Sequence, residues 1–183
     1  MAGNSTASHR IASDSTNAWS GSSSALIASR EAQRNPSGAS ICQAISAAAF
    51  KGKRVSFSGY LRTVNAKPGA HLTFRADAAD GRVVASNAMA RHWSPGTTAW
   101  TPHSIVIDVP DSAEVIMIGA ALMNIGSVWV DDVAIEVVDS DWPVTQPAPP
   151  VTRYAAPTDP ASVSKQLMNA GFEETVPVAA GQR

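Results

Sequence analysis

Seven side chains between residues 60 and 93 carry the chemistry best suited to holding a small polar molecule: Tyr60, Arg62, His71, Arg75, Arg91, His92 and Trp93. Aromatic rings offer apolar faces, and guanidinium and imidazole groups offer planar donors. Together these grip a hydroxyl-rich ring. On extended strands, Tyr60 with Arg62 and His71 with Arg75 share a face, because successive side chains alternate. Arg91, His92 and Trp93 lie in Met89-Ala-Arg-His-Trp-Ser-Pro-Gly96, which reads as a loop. The expectation is that all seven line one concave surface. The competing reading is a hydrated sheet face with arginine stems packed on Tyr60.

Catalytic constellations are weak by comparison. Serine is abundant, but no Gly-x-Ser-x-Gly places one on a nucleophile elbow. The four histidines are scattered and form no metal-ligand pair. Asp131-Asp132 and Glu173-Glu174 are adjacent in sequence, so on a strand their carboxylates point to opposite faces and cannot flank a substrate. Cys42 is the single cysteine; it can form no internal disulfide and reads as a small buried hydrophobe. These observations argue against an enzyme and call for no cofactor and no metal.

The elements that must position the seven residues are short alternating strands. In Lys53-Arg-Val-Ser-Phe-Ser-Gly-Tyr-Leu-Arg-Thr63, Val55, Phe57, Gly59 and Leu61 share the inward face. Arg54, Ser56, Ser58, Tyr60 and Arg62 share the outward one. Ala70-His-Leu-Thr-Phe-Arg-Ala76 repeats the pattern, with Leu72 and Phe74 inward. Asp80-Gly81 signals a hairpin into residues 82–86, and a loop over 87–98 follows. Further strands are read at 9–13, 21–29, 40–46, 104–109, 115–123 and 126–138, with a helical turn at 47–50. Short strands separated by turns, with no long helix, predict an all-β jelly-roll β-sandwich of two antiparallel sheets. Its core should include Val55, Phe57, Leu61, Leu72, Phe74, Ile105, Ile107, Val128 and Val130. Trp100 reads as a core or rim anchor, and Trp129 as either exposed beside the following segment or packed under it.

Composition sets the outer limits. The chain has 183 residues, 44% hydrophobic and 16% charged, with a net charge of −1. That is enough for one domain with a real core, and it offers no overall attraction to nucleic acid or an anionic membrane. The polar N-terminus lacks the apolar core of a signal peptide, so either the protein stays in the cytoplasm, the slightly favoured expectation, or the sequence is a trimmed mature one. After Asp139 the character changes. Trp142-Pro-Val-Thr-Gln-Pro-Ala-Pro-Pro-Val-Thr152 opens a proline-rich linker over 140–165, and 166–183 form a last segment.

Three stretches in order resemble galactose-binding-like jelly rolls: residues 21–29, Gln43-Ala-Ile45, and Phe50-Lys-Gly-Lys-Arg-Val-Ser-Phe-Ser-Gly-Tyr-Leu-Arg-Thr63. Gly96-Thr-Thr-Ala-Trp-Thr101 and Val128-Trp-Val-Asp-Asp-Val133 look like the same fold's closing half. The resemblance spans about residues 9–139. It extends to bacterial carbohydrate-binding modules and to such domains attached to bacterial transcription regulators. It implies a non-catalytic module for a carbohydrate or similar small polar ligand. The alternative is a structural module for protein–protein contact or oligomerisation. Domains of this fold often begin with an Asn-x-Gly-Phe-Glu-like strand whose Glu joins closing aspartates around calcium. Here that pattern occurs at Asn169-Ala-Gly-Phe-Glu173 instead, as if opening a truncated second copy or supplying a strand to a neighbour. Asp131 and Asp132 therefore read as a bulge or turn rather than a calcium site. No helix-turn-helix pattern is present in this chain, so contact with DNA by that route is not expected.

Overall fold

The computed structural model describes residues 2–3, 8–30, 38–89 and 93–145. Among them are nine strands and no helix: β1 (Ala2–Gly3), β2 (His9–Asp14), β3 (Ser24–Ser29), β4 (Ala39–Ser46), β5 (Arg54–Ala78), β6 (Val83–Asn87), β7 (Ser94–Asp108), β8 (Ala113–Leu122) and β9 (Ile125–Val137). All pairings are antiparallel.

β5 organises the molecule. Its first half lies between β7 and β9, with Leu61 opposite Thr101 on one side and Val130 on the other. β3 and β2 extend that first sheet beyond β9. The second half of β5 lies between β6 and β8, and β4 and β1 continue that second sheet. The two expected sheets are thus one hydrogen-bonded surface folded on itself. Residues 64–69, between the two expected stretches, include Asn65, Pro68 and Gly69, residue types that favour a turn. The chain instead stays extended through this corner, with register shifts at Thr63/Ala66 and Ala66/Ala70 and a positive φ of 51° at Asn65.

Alternation builds the core. Val55, Phe57 and Leu61 from the first half of β5 meet Leu72, Phe74 and Ala76 from the second half in one buried cluster. Ile105, Ile107, Val128 and Val130 join from the first sheet, and Ile116, Ile118 and Leu122 from the second. The two sheets therefore face each other, and their outer faces look in opposite directions. Gln43 is an exception to the apolar interior; it pairs with Ile118 and is buried on the inward side.

Local chemistry sets the connections. Ala47 accepts from the N–H groups of Phe50 (2.8 Å) and Lys51 (3.0 Å), which gives the single helical turn. Gly81, at φ 77°, turns β5 into β6, as its Asp-Gly pair suggested. The predicted loop over 87–98 is shorter than expected, because β7 already begins at Ser94. Asp131 pairs with Tyr60 and Ala134 with Ser58, so Asp132 and Val133 together oppose Gly59 in a β-bulge. A Cβ on Gly59 would lie 2.8 Å from Val133 Cγ1, so the absence of a side chain makes room for the bulged Val133. Asp132 takes the positive φ, 49°, that such a bulge requires.

The start of the linker is ordered against the sandwich. Arg54 binds Asp108 through two nitrogens (2.7 and 2.9 Å) and also donates to the carbonyls of Ser140 and Trp142. Thr145 N–H donates to the carbonyl of Val106 (3.0 Å), and Val106 N–H donates to Thr145 Oγ1 (2.7 Å). Residues 142–145 therefore lie along the outer edge of β7. The remainder of the linker and the Asn169–Glu174 pattern lie outside the described residues.

Candidate functional site

The outer faces of the two sheets carry different chemistry. On the second sheet, strand parity gathers Thr73 and Arg75 of β5, Met117, Gly119 and Ala121 of β8, and Ser40, Cys42 and Ala44 of β4. The middle of this face has small side chains, and most of them are half-buried. At one end His71 stacks on Trp93, with centroids 5.5 Å apart and planes within 13°. At the other, Arg75 pairs with Asp77 (2.8 Å) and reaches Met117 Sδ (2.9 Å).

The polar atoms at these ends are withdrawn from solvent. His71 is 4% exposed and Asp77 1%. His71 Nδ1, Asp77 Oδ1 and Trp93 Nε1 are buried without a hydrogen-bond partner. Such atoms cost roughly 1–3 kcal/mol each when nothing satisfies them. Burial holds His71 down to a pKa of about 4, so the ring is neutral at physiological pH. Burial pushes the Cys42 thiol up, away from the reactive thiolate.

The outer face of the first sheet carries a second aromatic group. Tyr60 stacks on Trp19 at 4.2 Å and 17°. Arg62 lies 5.2 Å over the Trp129 ring and donates to Asn17 Oδ1. Trp129 Nε1–H donates to Asp14 Oδ2 (2.6 Å). Asp14 also receives the Thr16 hydroxyl (2.6 Å), the Thr16 N–H (2.8 Å) and Asn17 Nδ2 (3.1 Å). These donors, the Thr16 hydroxyl foremost and then the Trp129 indole, hold its carboxyl well below the usual carboxylate range. The connection between β2 and β3 is pinned by Asp131, which is fully buried. Its Oδ2 accepts from Trp19 N–H (2.7 Å) and Ser20 N–H (3.1 Å), and its Oδ1 from Asp132 N–H (2.7 Å).

The expectation of one shared surface needs correction. His71, Arg75 and Trp93 lie on the outer side of the second sheet, whereas Tyr60 and Arg62 lie on that of the first. The corner at 65–69 separates them and turns their faces apart. Arg91 and His92 lie outside the described residues. Trp129 is packed under Arg62 rather than under the linker among the described residues. Trp100 is half-buried and, two residues before Pro102, shares the side of Tyr60 by strand parity. The sequence reading missed Asp77, Trp19, Asn17 and Asp14. An aromatic residue inside the polar run Ser13-Asp-Ser-Thr-Asn-Ala-Trp-Ser-Gly21 was the available signal. Asp131 and Asp132 do not converge: one carboxylate is consumed by backbone N–H groups, and the other is exposed on the bulge. Among the described residues, no group of three or more His, Cys, Asp or Glu could hold a metal ion.

Comparison with known proteins agrees with this architecture. No protein-family signature matches the chain. A stretch of 132 residues is 33% identical to the uncharacterized HTH-type transcriptional regulator YbfP of Bacillus subtilis (strain 168). The match covers 72% of this chain but 45% of that protein, so the chain spans less than half of its relative. Among solved structures, the CBM22-1 xylan-binding domain of Paenibacillus barcinonensis Xyn10C superposes with a TM-score of 0.52 at 13% identity. That superposition covers 76% of this chain and 87% of the module. The enzymatically active domain of tailspike protein 4 from bacteriophage CBA120 gives a TM-score of 0.55 at 15% identity, covering 75% of this chain and 19% of that one. The fold is a jelly-roll β-sandwich similar to that of carbohydrate-binding modules, and the sequence is similar to part of a bacterial protein named as a regulator.

Proposed function

We propose that the chain is a non-catalytic module that binds a carbohydrate or a similar small polar ligand on the outer face of its second sheet. We also infer that it serves as an accessory domain of a bacterial transcription regulator. The observation that carries the ligand reading is the set of buried, unpartnered polar atoms at His71, Asp77 and Trp93, at the ends of a face floored by small side chains. A neutral hydroxylated ring supplies what these groups lack: donors for Asp77, acceptors for Trp93 and a flat apolar side for an aromatic ring. Arg75 and Asp77 already neutralise each other, and His71 is uncharged, so the face favours a neutral ligand over an anion. The likeness to a xylan-binding domain supports this reading through its fold, and the relative named as a regulator supports the second.

Affinity should be weak, on the order of micromolar to millimolar, because water competes for every hydroxyl. Calorimetric titration of the full chain with xylohexaose, cellohexaose and other neutral oligosaccharides tests the reading. The Trp93→Ala variant should bind at least about tenfold more weakly, the loss of roughly 1.4 kcal/mol. Unchanged binding would take Trp93 out of the site. Absence of binding to every sugar would favour the alternative, a module used for protein contact.

A further inference from the structure

The free edge of the first sheet points to a second copy of this chain. We propose that β2 pairs antiparallel with β2 of a second copy about a twofold axis at Ala12, so that two first sheets join into one. This does not rest on the ligand reading, which concerns the other sheet.

The state of the sheet edges is the first argument. Among the described residues, β1, β2, β6 and β7 each pair with one strand only. Three of these edges are blunted. β1 is two residues long. β6 meets β5 across a register shift at Ala76/Asp77. β7 carries Pro95 and Pro102 and is covered by Thr145 at Val106. Short strands, bulges, prolines and cover are the devices that keep sheet edges from pairing. β2 has none of them. Its six residues hold one unbroken register with β3, and neither proline nor lysine interrupts them. The connection that follows does not shield this edge. Trp19 and Ser20 bind Asp131 of β9, so the chain folds across the outer face and away from it.

Hydrogen-bond phase is the second argument. Arg30 N–H donates to the Ser8 carbonyl (2.8 Å), which makes Ser8 and Arg30 a hydrogen-bonded pair. Such pairs alternate along an antiparallel ladder. Arg10, Ala12 and Asp14 therefore bond to β3, and the N–H and C=O groups of Ile11 and Ser13 point to the free edge. Two copies that exchange bonds between Ile11 and Ser13 bring Ala12 opposite Ala12.

The side chains favour that register. With Ala12 opposite Ala12, each Arg10 faces the partner's Asp14, twice by symmetry. These are non-hydrogen-bonded pairs, in which side chains stand closest. Opposite charges across such a pair stabilise it, and like charges oppose it. Arg10 is exposed, and Asp14 is held in place by Thr16, Asn17 and Trp129. Those donors occupy its oxygens, so the pair acts through charge rather than a bidentate bond. On the inward face, Ile11 is half-buried against the core. It becomes the diagonal neighbour of the partner's Ile11, which covers its exposed part. Setting Ile11 opposite Ile11 instead would put Arg10 against Ala12 and Asp14 against Ser8.

Sedimentation velocity of the full chain over a range of concentrations, with hydrogen exchange read amide by amide, tests the proposal. The chain should dimerise. The Ile11 and Ser13 amides should be protected in the dimer and open on dilution, whereas those of Arg10 and Ala12 stay protected by β3. Ser13→Pro removes an edge donor that β3 does not use and should raise the dimer dissociation constant about tenfold or more. Arg10→Glu sets like charges against Asp14 and should do the same without touching the backbone. If Ser13→Pro fails to fold, Arg10→Glu decides alone. A chain that is monomeric at every soluble concentration overturns the proposal. So does a dimer that a folded variant leaves at full strength, or one whose newly protected amides lie outside β2.

Discussion

Replacing Asp131 with asparagine isolates what the buried carboxylate does for the connection between β2 and β3. The side chain keeps its shape but loses its charge and one acceptor. If the amide oxygen stays with Trp19 and Ser20, its NH2 faces the Asp132 N–H, donor against donor, where 2.7 Å now separates donor and acceptor. One charge-assisted bond is lost, worth about 1.5–3 kcal/mol. The other two weaken, because neutral acceptors hold roughly half as strongly. The connection is partly exposed, and water recovers some of the loss, which leaves about 2–3 kcal/mol. For a domain of this size that lowers Tm by about 4–12 °C. Urea titration and thermal unfolding measure the global effect, and hydrogen exchange at the Trp19 and Ser20 amides measures the local one. The near-ultraviolet signal of the Trp19–Tyr60 stack should weaken in parallel. A variant with unchanged Tm and unchanged Trp19 amide protection would refute the assignment of Asp131 as the pin.

Other perturbations probe the core, the second sheet and its titrating group. Phe74→Ala removes a ring that is 1% exposed at the centre of the core and should cost about 3–5 kcal/mol, read from the denaturation midpoint. Gly119→Ala puts a Cβ 2.0 Å from the Ile41 carbonyl oxygen, so β4 and β8 cannot keep their register; circular dichroism should show loss of the folded state at a lower temperature. The His71 pKa is held at about 4 when folded and returns to about 6.5 when unfolded. The unfolded chain therefore binds more protons between those values, and stability falls as pH drops from about 6.5 to 4, by about 3 kcal/mol in all. His71→Gln should flatten that slope, and an identical slope in both proteins would contradict the burial argument.

Strand parity carried most of the fold. Val55, Phe57, Leu61, Leu72 and Phe74 are buried as alternation required, because a period of two is a local property of the chain. What parity could not supply was the direction in which each outer face looks. Tyr60 and His71 each face outward within their own stretch of β5, but how the two stretches relate is set by the corner at 65–69, which leaves them on opposite outer faces. A run of Asn, Pro and Gly reads as a break from local propensity. Here it is an extended corner held by partners on three other strands. Trp19 was illegible for the same kind of reason. Its order comes from Asp131 and Tyr60, far along the sequence, and nothing in its own neighbourhood announces them. The Asp131-Asp132 pair was legible as a choice between metal and bulge, and Gly59 across the ladder decides the geometry.

The membership of β5 in both sheets has a consequence for how the protein is made. β5 hydrogen-bonds to β6, β7, β8 and β9, all of which follow it in the chain, and β3, already paired with β2, gains its second neighbour only from β9. During synthesis Ala25 and Ile27 have only their β2 partners, Ser13 and Ile11, until Val130 and Val128 have left the ribosome. Until then one edge of β3 and the edge of β5 that β9 will cover are unpaired and rich in apolar residues, the condition in which nascent chains pair with one another. Pairings this distant in sequence also form slowly, on the order of milliseconds to seconds. Translation speed through residues 79–137 and the availability of chaperones should therefore govern the soluble yield more than the final stability does.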